Sequence, residues 1–212
     1  TGGIWRKECI NNAGGWQDDT LTEDLDLSYR AQLKGWKFLF INEVGSPAEL
    51  PANIAALRTQ QFRWTKGAAE CARKNLWKVW MSNKPISTKF HATFHLLNSF
   101  VFVCVALTAI LSIPVMWFKP NWPELKNFFF IGGLFVFSFV LLGIYYWNSS
   151  KFNYNHNPKH KNIFLLYFPM FLSFTMGLSL HNAIAVIEGY VGKKTPFIRT
   201  PKFNIVTKKD SW

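Results

Sequence analysis

Residues 52–81, ANIAALRTQQFRWTKGAAECARKNLWKVWM, decide the fold. They read as one amphipathic helix. At a helical repeat, Ile54, Leu57, Phe62, Ala68, Ala72, Leu76, Val79 and Trp80 fall on one side, and Arg63, Lys66, Arg73, Lys74 and Lys78 fall on or near the other. A basic face, an apolar face and the indoles of Trp64, Trp77 and Trp80 suit a helix lying in a membrane interface. The plainer alternative is a surface helix on a soluble core. The interfacial reading is favoured because the chain then loses its charges.

Residues 96–118, 127–150 and 162–187 carry no charged side chain. A helix needs about 20 predominantly apolar residues to cross a bilayer. Trp117, Trp122, Tyr145, Tyr146 and Trp147 sit at the ends of these runs, as interface anchors do. Transmembrane helices are expected at 92–118 and 127–148. The third run differs. Its upstream loop holds Lys151, Lys159 and Lys161, and its downstream tail holds Lys193, Lys194, Arg199, Lys202, Lys208 and Lys209. Positive charge on both flanks places both in the cytoplasm. Pro169 is expected to break the run near its start, and His181, Asn182 and Glu188 polarise its second half. Residues 162–191 are therefore expected to form interfacial or re-entrant helices, with 192–212 cytoplasmic.

Lys and Arg outnumber Asp and Glu 24 to 12, for a net charge of +12. The basic residues lie in short clusters between apolar runs, which fits an anionic membrane surface. No basic stripe with a base-reading motif appears, so nucleic acid is excluded as a partner. Cys9, Cys71 and Cys104 have neither disulfide nor metal spacing, which suits a reducing compartment. The opening Thr1-Gly2-Gly3-Ile4-Trp5-Arg6 reads like the middle of a domain, and the chain is expected to be the C-terminal piece of a longer protein.

Residues 1–51 look α/β. Thr20 and Glu23 form a capping-box pattern. Leu25, Leu27, Tyr29 and Leu33 supply the apolar side of the helix that follows, and Gly35 supplies its stop. Lys37-Phe38-Leu39-Phe40-Ile41 is expected to be a short strand, closed by the Gly45-Ser46-Pro47 turn. The fold class is thus an α/β portion followed by membrane α-helices.

Asp24 falls in the first helical turn, where the helix dipole stabilises its anion. That suits a carboxylate which accepts a proton from a hydroxyl. Alternatively, Glu23 and Asp24 merely complement the helix end. Gln60, Arg63, Trp64 and Gly67 lie at i, i+3, i+4 and i+7 and share a helix face. A guanidinium there can bind a diphosphate through paired hydrogen bonds. The indole offers a flat surface to a sugar ring, and Gly67 leaves room for close approach. An ordinary interfacial helix anchored by Trp would show the same residues. His91 and His95 share a face but lack the Glu of a zinc protease motif, and read as an interfacial pair.

The motif Thr22-Glu23-Asp24, followed by Gln60-Gln61-Phe62-Arg63-Trp64 just before apolar spans, resembles the processive, membrane-integrated family 2 glycosyltransferases. These include the cellulose, glucomannan, chitin and hyaluronan synthases. Phe197-Ile198-Arg199-Thr200-Pro201-Lys202 resembles the Phe-x-Val-Thr-x-Lys gating loop of cellulose synthases, with Arg199 in place of Val.

The resemblance implies that residues 1–51 end a GT-A, Rossmann-like catalytic domain. Residues 52–82 would be the interface helix, and 192–212 the gating-loop segment. Asp24 would be the general base that deprotonates the acceptor. Glu23, Gln60, Arg63 and Trp64 would bind acceptor and donor, and Phe197, Thr200 and Lys202 would close over the leaving nucleotide. The donor would be a UDP- or GDP-sugar and the acceptor a β-linked polysaccharide. The enzyme would be integral to the inner or plasma membrane, with its catalytic side cytoplasmic. The family's Mg²⁺ or Mn²⁺ ligands, an Asp-x-Asp motif, are expected upstream. Asp24-Leu25-Asp26 is not assigned to a metal, Asp18-Asp19 reads as a solvated turn, and the chain alone is expected to be inactive. His181-Asn182 either faces the sugar channel or is satisfied within the helix bundle. Two alternatives remain: transfer of one sugar to a membrane lipid, as in ceramide glucosyltransferases, and a non-catalytic membrane scaffold or transporter.

Overall fold

The structure, a computed structural model, describes residues 3–41, 44–46, 48–127, 130, 133–154 and 160–201. Contacts divide the chain into two compact units, one of Thr1–Cys104 with Leu180–Trp212, the other of Val105–Ser179.

The first unit is built around one long helix. Helix α1 (Lys7–Asn12) and α2 (Glu23–Leu33) precede α3 (Ile54–Met81), α4 (Ile86–Leu96) follows it, and α8 (Ser179–Val191) returns to it late in the chain. The Asn53 side chain caps α3 by accepting the Ala56 N–H at 2.7 Å, a contact worth about 1 kcal/mol. Gly35, at φ +94°, follows the C-cap Lys34 and ends α2 where the sequence indicated. The capping box does not form. Helix α2 begins at Glu23, so Thr22 is the N-cap and makes no side-chain cap, and the buried Thr20 hydroxyl does not cap it either.

Tyr29, Cys71, Ala72, Val79 and Leu96 make one apolar cluster, with Leu25, Leu33 and Leu76 against it. Cys9, Ala13, Leu27 and Ala31 make a second under α2. The buried side of α3 departs from the amphipathic reading. Ala72 and Val79 are buried as expected, but the buried side also takes in the small and polar residues Thr65, Lys66, Gly67, Ala69, Glu70 and Asn75, while Ile54 is exposed. Polarity in a sequence locates water only where the charges lack internal partners, and here they have them.

Residues 37–41 form no strand. Leu39 and Phe40 are each 85% exposed. A strand needs a neighbour to take its backbone N–H and C=O groups, and among the described residues none lies beside it.

The second unit contains most of α5 (Val101–Asn121) together with α6 (Leu134–Tyr154) and α7 (His160–Gly177). Helix α4 ends at Leu96, and a 3₁₀ turn at Asn98–Phe100 leads into α5, so the run expected as one helix over 92–118 is divided. Asn98–Phe118 is long and apolar enough to cross a membrane. Lys161–Gly177 with Ser179–Val191 passes the same test together, as a broken span or a re-entrant loop. The break falls at Leu178. Helix α7 continues through Pro169, where an interruption was expected; proline is tolerated within apolar helices when the freed carbonyl finds another partner. Helices α6 and α7 meet through rings: Trp147 on Phe164 at 5.0 Å, and Tyr146 against Phe168 at 5.7 Å and Phe171 at 5.2 Å.

Candidate active site

Helix α3 brings the three sequence motifs together. The first is the entry to α2. A Cβ placed on Gly67 would lie 2.6 Å from Thr22 Cγ2 and 2.9 Å from its backbone N. Only glycine lets the chain before Glu23 and Asp24 pass this close. Glu70, one turn on, accepts the Leu21 N–H at 2.7 Å. The Cys71 thiol lies 3.4 Å from the Thr22 hydroxyl. Gly67 thus makes room for the protein's own backbone rather than for a substrate. Burial pushes the Glu70 carboxyl up, against the opposing hydrogen bond from Leu21 and the charges of Lys66 and Arg73. Burial also raises the Cys71 thiol to about 11, so it is held as a thiol.

Glu23 and Asp24 are exposed at the start of α2. Asp24 Oδ1 accepts the Leu25 N–H at 2.8 Å. This turns the carboxylate along the helix end and leaves its second oxygen available to a proton donor. Asp26 is fully buried. Asn75 donates to its Oδ1 at 2.8 Å, and Arg30 and Lys74 donate to Oδ2 at 2.8 and 3.0 Å. Burial alone would raise this carboxyl; the hydrogen bonds from Asn75, Arg30 and Lys74, with the charge of Lys74, outweigh it and hold the group below the usual carboxylate range. Lys74 also binds Asp19 at 2.6 Å, while Asp19 stays 54% exposed in a bend, as the solvated-turn reading expects.

The second motif lies one turn earlier on α3. Gln60 and Arg63 are half-buried, and Trp64 is 50% exposed. Arg63 Nε is buried and has no hydrogen-bond partner among the described residues. The third motif comes to it: the Arg63 guanidinium lies 4.5 Å from the centroid of the Phe197 ring. Thr200 Oγ1 is buried and also without a hydrogen-bond partner among the described residues. Lys202 lies outside the described residues.

Lys66 is the residue that sequence reasoning placed wrongly. It was counted on the basic face, yet it is fully buried, donating to Glu188 at 3.0 Å and to the Thr195 hydroxyl. The i+3 spacing from Arg63 was the available signal, but its partners lie more than 120 residues away. His181 contacts α3: its Nε2 meets the Arg58 carbonyl at 3.2 Å, and its ring lies 5.1 Å from Phe62. His95 pairs with the Tyr29 hydroxyl at 2.7 Å.

No group of three or more potential metal ligands occurs among the described residues. Asp26, the second acid of Asp24-Leu25-Asp26, has both oxygens taken by Asn75, Arg30 and Lys74. These residues do not fit a divalent metal site.

Residues 2–180 match the profile of Glycosyl transferase family group 2. The chain is 46% identical over 112 residues to the probable glucomannan 4-beta-mannosyltransferase 2 of Oryza sativa subsp. japonica, covering 53% of this chain and 19% of that protein. It is 40% identical over 133 residues to glucomannan 4-beta-mannosyltransferase 7 of Arabidopsis thaliana, covering 58% of this chain and 24% of that protein. The chain spans about a fifth to a quarter of the length of these relatives. No solved structure matches it.

Proposed function

Because the chain belongs to Glycosyl transferase family group 2, we propose that it forms the acceptor side and donor-side loop of an enzyme that extends a β-linked polysaccharide from a nucleotide-sugar. A mannosyl or glucomannan product is the favoured branch, from the names of its relatives. The convergence of the three motifs on α3 carries the reading: Thr22 rests on Gly67 and Phe197 on Arg63.

In this reading Asp24 takes the proton of the acceptor hydroxyl, which attacks the anomeric carbon with inversion as the nucleotide diphosphate leaves. Arg63, with an unsatisfied Nε, and Thr200, with an unsatisfied hydroxyl, meet the diphosphate. Gln60 assists, and Lys202 supplies a further cation. Trp64 presents its exposed indole to the acceptor sugar. Glu23 flanks Asp24. The divalent ion of the full enzyme is held by carboxylates other than those described above. Helices α5 and α6 insert in the membrane and help pass the product across, α7 and α8 are interfacial or re-entrant, α3 lies at the membrane interface and α2 is on the cytoplasmic side. The wide exposure of Leu107, Ile110, Ile113, Leu165 and Leu166 supports this placement.

Asp24→Asn in the full-length enzyme tests the core of the proposal. Loss of transfer by about 10²- to 10⁴-fold is expected for a missing general base, with membrane insertion unchanged. Wild-type rates would remove Asp24 from the reaction. Product sizing separates polymer from a single-sugar glycolipid. Thiol labelling of Thr200→Cys from the extracytoplasmic face of sealed vesicles would overturn the cytoplasmic placement of this segment.

A further inference from the structure

Resting on the reading of residues 197–202 as the donor-side loop, we propose that Lys66 and Thr195 are positioning residues. The buried Lys66 ammonium fixes the root of this segment on α3 and so sets Phe197 over Arg63.

Four observations converge. Lys66 is fully buried, and a buried ammonium is costly unless paired and hydrogen-bonded. It is paired with Glu188 at 3.0 Å on α8, and it also donates to the Thr195 hydroxyl, beyond the end of that helix. Helix α8 is held at the same level: a Cβ on Gly189 would sit 2.7 Å from the Lys66 carbonyl oxygen and 2.8 Å from Ala69 Cβ. Lys193 pairs with Glu188 from the other side at 2.5 Å, so the carboxylate is gripped between two ammonium groups.

The spacing then matters. Arg63 and Lys66 are three residues apart on one helix and face the same way. Thr195 and Phe197 are two apart in the coil that follows α8, and each meets α3, Thr195 at Lys66 and Phe197 at Arg63. Lys66 to Thr195 and Arg63 to Phe197 are therefore two matched pegs, with Pro196 stiffening the link between them. Glu70, one turn beyond Lys66, holds Leu21 ahead of Glu23 and Asp24. The loop and the acidic motif hang from adjacent turns of a single helix, so a shift at Lys66 reaches both.

Three variants of the full-length enzyme test this. Thr195→Val removes the hydroxyl and should raise KM for the nucleotide-sugar about 3- to 10-fold, the scale of one hydrogen bond, with kcat within about twofold. Thr195→Ser should restore KM. A readout independent of activity is tryptic cleavage of the Lys194–Thr195 bond relative to the exposed Lys34–Gly35 bond. Lys66→Met should raise that ratio several-fold by freeing the segment. If Lys66→Met fails to fold, Thr195→Val against Thr195→Ser yields the same comparison. An unchanged ratio overturns the proposal, as does a Thr195→Val enzyme whose KM is unmoved. Absence of sugar transfer by the wild-type enzyme would sink the glycosyltransferase reading instead, and the tryptic ratio would still decide whether Lys66 holds the segment.

Discussion

The two units are held together by different chemistry. In the first, polar side chains reach across the sequence. Asp26 joins Asn75 and Lys74, Glu70 joins Leu21, and Lys66 joins Glu188 and Thr195. In Val105–Ser179 the side chains of Ser112, Asn121 and Thr175 bond along their own helices. Ser112 donates to the Ala109 carbonyl, Asn121 to Trp117 and Thr175 to Leu172. Aromatic rings join α6 to α7 there. Buried long-range polar contacts are directional and specify one geometry, which a reaction centre needs. Apolar ring contacts are less directional and tolerate sliding. Substitutions in the first unit should therefore be costly, and equivalent ones in the second should not.

The sharpest break of that contrast is at Asp26. Asp26→Ala leaves Lys74 and Arg30 without their buried carboxylate, and Asn75 without its acceptor. A loss of about 3–5 kcal/mol is expected for stranding one side of a buried pair. Hydrogen exchange of the α2 amides should rise accordingly while α6 and α7 stay protected. Rapid exchange throughout both units would contradict the division.

Gly67 comes next. An added methyl would press on Thr22, including its backbone nitrogen at 2.9 Å, which cannot rotate away. Gly67→Ala should cost about 1–3 kcal/mol as overpacking and lower transfer by displacing Asp24. Full activity would mean that the acidic motif need not sit so close to α3.

Much of this frame was legible in the sequence, for physical reasons. Periodicity located α3 to within two residues, and Gly35 marked the end of α2, because both signals are local. The motif residues could be named because their helical spacing puts Gln60, Arg63 and Trp64 on one face. What stayed hidden depended on distant partners. Lys66 and Asp26 look like ordinary solvated charges until Glu188, Thr195, Lys74 and Asn75 are brought to them. Residues 37–41 have strand composition, but a strand is made by its neighbour. Pro169 was the stronger local breaker, yet the interruption fell at Leu178.

Proton titration sharpens the comparison further, because the first unit has buried carboxylates of opposite sense. The Asp26 carboxyl is held below its ordinary value. Its contribution is present above the unfolded carboxylate pKa of about 3.9 and is lost as the pH falls through the lower folded value. Glu70 is raised, so its charged form is penalised and stability falls as the pH climbs through that raised value. Glu70→Gln, whose amide oxygen can still accept the Leu21 N–H, should stabilise α2 at pH 8 and have little effect under acid conditions. Slower α2 exchange at pH 8 checks this. Faster exchange there would show that the charges of Lys66 and Arg73 depend on an ionised Glu70.

The smallest effects belong to the second unit, and they test the contrast from its other side. The Ser112 and Thr175 hydroxyls donate to carbonyls three residues back, at 2.7 and 2.9 Å. Those carbonyls belong to the same helix, so losing the hydroxyl removes no tie between elements. Such local bonds compete with the helical ladder as much as they support it. Ser112→Ala and Thr175→Ala should therefore change stability by no more than about 0.5 kcal/mol, with α5 and α7 exchange unmoved. A loss above about 1 kcal/mol at either position is the scale of a buried hydrogen bond between elements. It would mean that this unit, too, uses polar contacts to fix its geometry, and the distinction drawn from Asp26 and Lys66 would no longer separate the two regions.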